Sequence, residues 1–256
     1  MTRMLFGPST LHREGRIGGC ALELIGLDGC RGGWLVAAAD VSLSALSFSL
    51  VDDLAPLVAR ARTGDALITI DMPIGLNDER ARACDLTARR LLGRPRGSSV
   101  FPAPCRAALG ATTYRRACAL SRRTLGVALS RETFNILPKI RQVDALMTSA
   151  VQEFVREVHP EVVFALLAGR GRGLRHAKRT AEGERERQRL LRRVAPRFDP
   201  GAVRRRLGPA RVARDDVIDA VACLVAAARI QRGEALVLPE GAVERDARGL
   251  RMEIVA

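Results

Sequence analysis

The sequence predicts an α/β fold: a five-stranded mixed sheet, built from a three-strand meander plus parallel strands, with helices on both faces and a helical insertion. Three observations predict it. Three short β-rich runs follow one another near the start at turn-length spacing, as an antiparallel meander does. A nearly all-apolar run, Leu67 to Ile70, has the pattern of a strand buried on both faces of a parallel sheet. Helical patterns alternate with the strand runs that remain.

Taken in order, residues 1–20 read as a disordered leader, since they lack the continuous apolar segment and small-residue cleavage site of a signal peptide. Residues 21–256 read as a single domain. The first strand, Leu22 to Leu27, ends on Asp28, and the turn after it carries Gly29, Gly32 and Gly33. Glycines there permit positive φ and let a phosphate or metal approach the backbone. The second and third strands are Trp34 to Ala39 and Ala45 to Val51. A helix from Asp52 to Arg62 has acids at its start and basics at its end, as a helix dipole prefers, and Gly64 stops it.

The fourth strand runs into Asp71, and Pro73 and Gly75 break it. A helical insertion over about 77–150 follows. It comprises a polar, Arg-rich helix from Asn77 to about Leu92, a loop from Gly93 to Arg106 dense in proline and glycine, and helices over Thr112 to Gly126 and Pro138 to Ala150. Phe154 to His159 reads as the fifth strand and Pro160 to Ala168 as a helix. A flexible loop, Gly169 to Gly173, opens a basic helical segment over about 170–206, with helices at Glu182 to Val194 and Pro200 to Leu207. The last long helix, Asp215 to Gln231, puts Asp216 and Asp219 three apart on one face, with Val221, Leu224, Val225 and Ala228 as its packing stripe. Gly249 to Val255 is a candidate terminal edge strand.

At 256 residues and 47% hydrophobic content the chain can bury a substantial core. No run of eighteen uninterrupted apolar residues exists, so no spanning helix is expected. Cysteines 20, 30, 84, 105, 118 and 223 form no Cys-x-x-Cys pair, which fits a reduced, cytoplasmic setting. His159-Pro-Glu161 matches half of a zinc deaminase signature, but no Pro-Cys-x-x-Cys follows, so zinc is rejected.

The net charge is +14, yet the only lysines are Lys139 and Lys178 among 42 basic residues. Such a bias fits GC-rich coding, which raises arginine everywhere, so the global charge is weak evidence about partners. The distribution says more: fourteen basic and four acidic residues lie between Arg170 and Arg206. That patch can draw phosphates, and its alternative reading is a solvated helix in which Glu182, Glu184 and Glu186 pair with Arg185, Arg187 and Arg189.

Carboxylates at the ends of the first and fourth strands and on the last helix are the arrangement of the ribonuclease H-like fold. Close carboxylates repel and raise one another's pKa unless a divalent cation neutralises them, and hard oxygen ligands favour Mg2+ or Mn2+. Two such ions about 3.5 to 4 Å apart would activate water and stabilise the leaving oxygen of a phosphodiester.

The chain also resembles the bacterial and archaeal proteins described as predicted ribonuclease H-like nucleases (domain of unknown function 429). The likeness rests on Gly26-Leu-Asp28-Gly29-Cys30-Arg31-Gly32-Gly33-Trp34, Ile70-Asp71-Met-Pro73-Ile-Gly75-Leu76, Ser98-Ser99-Val-Phe101-Pro-Ala-Pro-Cys-Arg106, Ile136-Leu-Pro138-Lys139-Ile140, Glu157-Val-His159-Pro160-Glu161 and Asp216-Val-Ile-Asp219-Ala. It covers roughly Leu24 to Val255. The resemblance implies the fold and a nuclease-like site, and Asp-x-x-Asp near the C-terminus is similar to that of Holliday-junction resolvases. Two positions depart from the family pattern: Glu132 and Gln142 stand where Gln and Glu are usual.

These readings give Asp28 bridging two metals, Asp71 holding one, and Asp216 with Asp219 completing the cage. Glu157 is the next catalytic candidate, with a salt bridge to arginine as its alternative. Arg31, Arg106, Lys139, His159, Ser98 and Ser99 are candidates for substrate binding. For Arg106 and Lys139 the alternative is surface pairing, and for His159 it is helix entry. Neither serine has a partnered base in sequence, so a serine nucleophile is discounted. The expected function is a metal-dependent phosphodiesterase acting on nucleic acid, RNA or DNA, with no membrane partner and an open oligomeric state. Alternatives are an inactive nucleic-acid-binding or regulatory module, and an actin-like ATPase, against which stands the lack of a duplicated second half.

Overall fold

Apolar runs of β-branched and aliphatic residues place a hairpin at the centre of the molecule. A computed structural model describes residues 22–169 and 171–256, and the expected leader over residues 1–20 lies outside them. β1 (Glu23–Cys30) and β2 (Gly33–Ala39) pair antiparallel, from Leu24 opposite Ala39 to Cys30 opposite Gly33. Gly33 has φ of +105°, and a Cβ there would meet the Val51 carbonyl at 2.5 Å, so both conformation and space require glycine. β3 (Ser47–Val51) pairs antiparallel with β2. After α1 (Ala55–Arg62), β4 (Ala66–Ile70) runs parallel to β1 on its other side, and β5 (Val155–Glu157) runs parallel to β4. The sheet order is β3-β2-β1-β4-β5.

The alternation of side chains along each strand splits the core in two. Ile25, Leu27, Trp34, Val36, Ile68 and Ile70 face one layer, where α3 (Tyr114–Leu125) and α4 (Arg131–Leu146) contribute Ala117, Leu137 and Ile140. Leu24, Leu35 and Ala37 face the other, beneath α5 (Pro160–Leu167) and α8 (Arg214–Gln231). All five residues of β4 are buried, as a strand covered on both faces should be. α8 buries every residue from Val217 to Ala228, so it is a core helix rather than a surface one. It lies directly on β1, because a Cβ at Gly26 would stand 2.2 Å from the Ala220 carbonyl and 2.3 Å from the Leu224 nitrogen.

The insertion between β4 and β5 departs from the sequence expectation in two places. α2 (Ala83–Arg96) begins six residues after Asn77, whose side chain instead accepts the Glu79 N–H at 2.8 Å in a local turn, and its helical backbone breaks at Gly93 and Arg94. α4 starts at Arg131, not Pro138: Ser130 Oγ accepts the Thr133 N–H at 3.0 Å, and the buried stripe Thr133, Leu137, Ile140, Val143 runs through the proline. Packing of that stripe outweighs a proline penalty of about 3 kcal/mol. The usual-pattern departure at Gln142 is structural, since its Oε1 accepts the indole N–H of buried Trp34 at 2.7 Å.

In the basic segment, α6 (Ala181–Leu191) and α7 (Pro200–Leu207) carry the arginines. The expected ladder along α6 is present only in Glu182–Arg185 at 2.9 Å. Glu184 pairs with Arg214, and Arg187 turns inward to Glu161. The expected strand over Gly249 to Val255 shrinks to β7 (Ile254–Val255), which pairs with β6 (Val237–Leu238) and bridges Val158 through Val255. The five described cysteines are free and buried, and among the described residues no helix is long and apolar enough to cross a membrane.

Candidate functional site

Strand parity decides which acids meet. Leu27 and Ile70 are register partners on the α4-facing side, so Asp28 and Asp71, one residue on in each strand, turn toward α8. The Asp71 N–H donates to the Leu27 carbonyl at 3.1 Å and carries the pairing one residue past β4. Ala220 sits over Gly26, which brings the preceding turn of α8, with Asp216 and Asp219, to the level of Asp28. Asp216 lies in the first turn, where the helix dipole favours an anion, and its Oδ2 accepts the Ala213 N–H at 2.8 Å.

The four carboxylates feel one another. Burial pushes Asp28 well above the carboxylate range, with Asp71, Asp219 and Asp216 adding to it in that order and Lys178 opposing. Asp71 is pushed up to about 6, chiefly by burial; the charge on His159 opposes the rise and Asp219 adds to it. Burial also raises Asp219, against Lys178, and raises Asp216, against its Ala213 hydrogen bond. Asp219 is buried; its Oδ2 takes a hydrogen bond from Lys178 Nζ at 2.6 Å, and its Oδ1 has no partner.

Cationic and neutral groups ring the acids. The Lys139 stem crosses Gly29, where a Cβ would meet its Cδ at 2.6 Å. Its Nζ donates to the Gly33 carbonyl at 2.5 Å and lies 4.6 Å from the centre of the Trp34 ring. Burial pulls this ammonium below its ordinary value, while Cys30, Asp28 and Asp216 support its charge. His159 precedes α5, and its Nε2 stands 3.3 Å from the Ser99 carbonyl. A carbonyl only accepts, so Nε2 carries a proton, and Nδ1 is buried with no hydrogen-bond partner. Ser99 therefore contributes its backbone, not its hydroxyl. Arg31 is exposed on the hairpin turn.

Three other candidates are committed elsewhere. Glu157 pairs in register with Ile70, so parity sends it to the face opposite Asp71. There it accepts from buried Arg82 at 2.6 and 2.8 Å and from the Ile74 N–H at 2.7 Å, the salt bridge that was its alternative reading. Burial still pushes its carboxyl up to about 7 against the Arg82 charge. Arg106 is no open phosphate clamp: its guanidinium holds both Asp144 oxygens at 3.0 Å and also Asp246, tying the insertion to the C-terminal segment. Ser98 is exposed and donates to the Pro95 carbonyl at 3.0 Å.

Lys178 is the residue that sequence reasoning missed. The signal was its rarity, one of two lysines in a chain that otherwise uses arginine. Its ammonium is raised above its ordinary value, first by Asp219 and then, against burial, by Asp28 and Asp71.

The donor set suits a hard divalent cation in kind, with carboxylate oxygens only and one buried oxygen open on Asp219. Among the described residues no group of three His, Cys, Asp or Glu side chains stands ready to hold a metal ion, and Lys178 supplies part of the neutralisation. A family model described as "Protein of unknown function (DUF429)" matches residues 26–244. No curated protein and no solved structure matches the chain.

Proposed function

The chain belongs to the DUF429 family of proteins of unknown function, and on that footing we propose that it is a ribonuclease H-like phosphodiesterase that hydrolyses nucleic acid with Mg2+ or Mn2+. One observation supports the reading: Asp28, Asp71, Asp216 and Asp219 lie within electrostatic reach of one another near the carboxyl ends of β1 and β4, and burial, with repulsion from neighbouring acids, raises their pKa values. Acids arranged this way store repulsion that a hard cation relieves. The sheet order and the positions of the acids support the ribonuclease H-like assignment as an analogy of fold.

Asp28 and Asp71 would hold the ion, with Asp216 and Asp219 completing the anionic wall. When bound, the ion would lower the pKa of a water and stabilise charge on phosphate oxygens. The chain's own groups do the rest. Lys139 offers an ammonium beside Asp28, and the arginines of α6 and α7 supply a field that draws a phosphate backbone toward the site. His159, whose Nε2 donates to the Ser99 carbonyl, would use its unpartnered Nδ1 to orient a water.

Incubation of the protein with Mn2+ and a panel of single-stranded RNA, duplex DNA and branched DNA is expected to yield products that an Asp28→Asn variant does not. Equal product from both proteins, or none from either, overturns the reading. The Lys178–Asp219 pair favours a second reading, a nucleic-acid-binding or regulatory module whose acids are neutralised from within. Tight binding that survives EDTA and Asp71→Asn, with no product, would select it.

A further inference from the structure

Both lysines of this arginine-rich chain reach the carboxylate site, and Lys178 is built into it. It arrives on the segment between α5 and α6, which a buried ion pair anchors. Arg187 grips Glu161 at 2.6 to 2.9 Å and also donates to the His176 carbonyl at 3.1 Å, two residues before Lys178. The Ala177 carbonyl packs on Gly183, where a Cβ would stand 1.9 Å away. The lysine therefore has a fixed base, although its side chain is 39% exposed and only its Asp219 partner is deeply buried. Its Nζ meets Asp219 Oδ2 at 2.6 Å, and its charge acts on Asp28, Asp71 and Asp216 as well. An ammonium is a compact point charge, whereas a planar guanidinium could not occupy the space of a single ion.

Charge counting points the same way. Four ionised carboxylates carry four negative charges, which Lys139, Lys178 and one divalent cation would neutralise. A second divalent cation would leave an excess of two positive charges. Resting on the nuclease reading above, we propose that Lys178 is a resident cation that stands in for one ion of a two-ion site, so that the site takes a single divalent cation facing Asp28 and Asp71. The chain would thus carry part of its own electrostatic catalyst, and Asp28 would serve one metal rather than bridge two.

The test counts Mn2+ bound per chain, by isothermal titration and electron paramagnetic resonance of the full chain at pH 7.5. One ion is expected for the wild type. Two, with the spin coupling of an adjacent pair, are expected for Lys178→Met, which keeps the length of the side chain without its charge. Two ions in the wild type, or one in both proteins, overturns this inference and leaves the metal-site reading standing. No bound ion in the wild type removes both. The wild-type count decides even if Lys178→Met fails to fold, and Lys178→Gln provides a second variant.

Discussion

Replacing Asp71 with asparagine should stabilise the metal-free protein at pH 8 and change little at pH 4. Its carboxyl is pushed from 3.8 up to about 6, so the folded protein binds that proton more tightly than the unfolded chain does. The linkage is destabilising in sign. The penalty is fully present above pH 6, shrinks as the pH falls through the window between 6 and 4, and is gone below it. About two pKa units at 1.36 kcal/mol each set an upper bound of about 3 kcal/mol, and partial exposure of Asp71 brings the expected gain to about 1 to 3 kcal/mol. Asparagine keeps the shape and removes the charge. Urea unfolding in EDTA at fixed ionic strength, repeated from pH 4 to 8, should show the difference between the proteins growing with pH. With saturating Mn2+ the order should reverse, because an ion at a hundred times its dissociation constant adds about 2.7 kcal/mol to the protein that binds it. An Asp71→Asn protein that is less stable at pH 8, or a difference independent of pH, would refute the argument that burial and the neighbouring acids outweigh Lys178 and His159 at this carboxyl.

Two further substitutions separate the site from its scaffold. Gly26→Ala drives a methyl into the Ala220 and Leu224 backbone, so it should destabilise by about 1 to 3 kcal/mol in urea and weaken Mn2+ binding by shifting Asp216 and Asp219; unchanged stability would mean α8 does not rest on β1 as described. Glu157→Gln breaks a buried pair with Arg82 and should destabilise by about 3 to 5 kcal/mol while the folded fraction keeps its Mn2+ affinity; lost affinity at full stability would place Glu157 in the site.

Much of the sheet was legible because local chemistry decides it. Apolar runs marked β1, β2 and β4, and Asp28 and Asp71 both close such runs, so their nearness followed from parallel pairing alone. Glu157 was illegible for a related reason. Whether it points toward Asp71 or away depends on a one-residue register between β4 and β5, and no residue type in either strand encodes that register. For Arg106 the pairing alternative holds, but its partners, Asp144 and Asp246, lie 38 and 140 residues away, so the sequence does not name them. Pro138 looks like a helix start because proline suits a first turn, whereas the Ser130 cap and the buried stripe behind it carry α4 through the proline. The scarcity of lysine was plain in the sequence. That it mattered for the site depended on where the Glu161–Arg187 pair anchors the segment carrying Lys178.

The most direct test of the central claim is a crystal soaked in Mn2+ and measured near the manganese absorption edge. The account predicts an anomalous peak in contact with the carboxylates of Asp28 and Asp71. A peak bound elsewhere, or none at full occupancy of the soak, would contradict it.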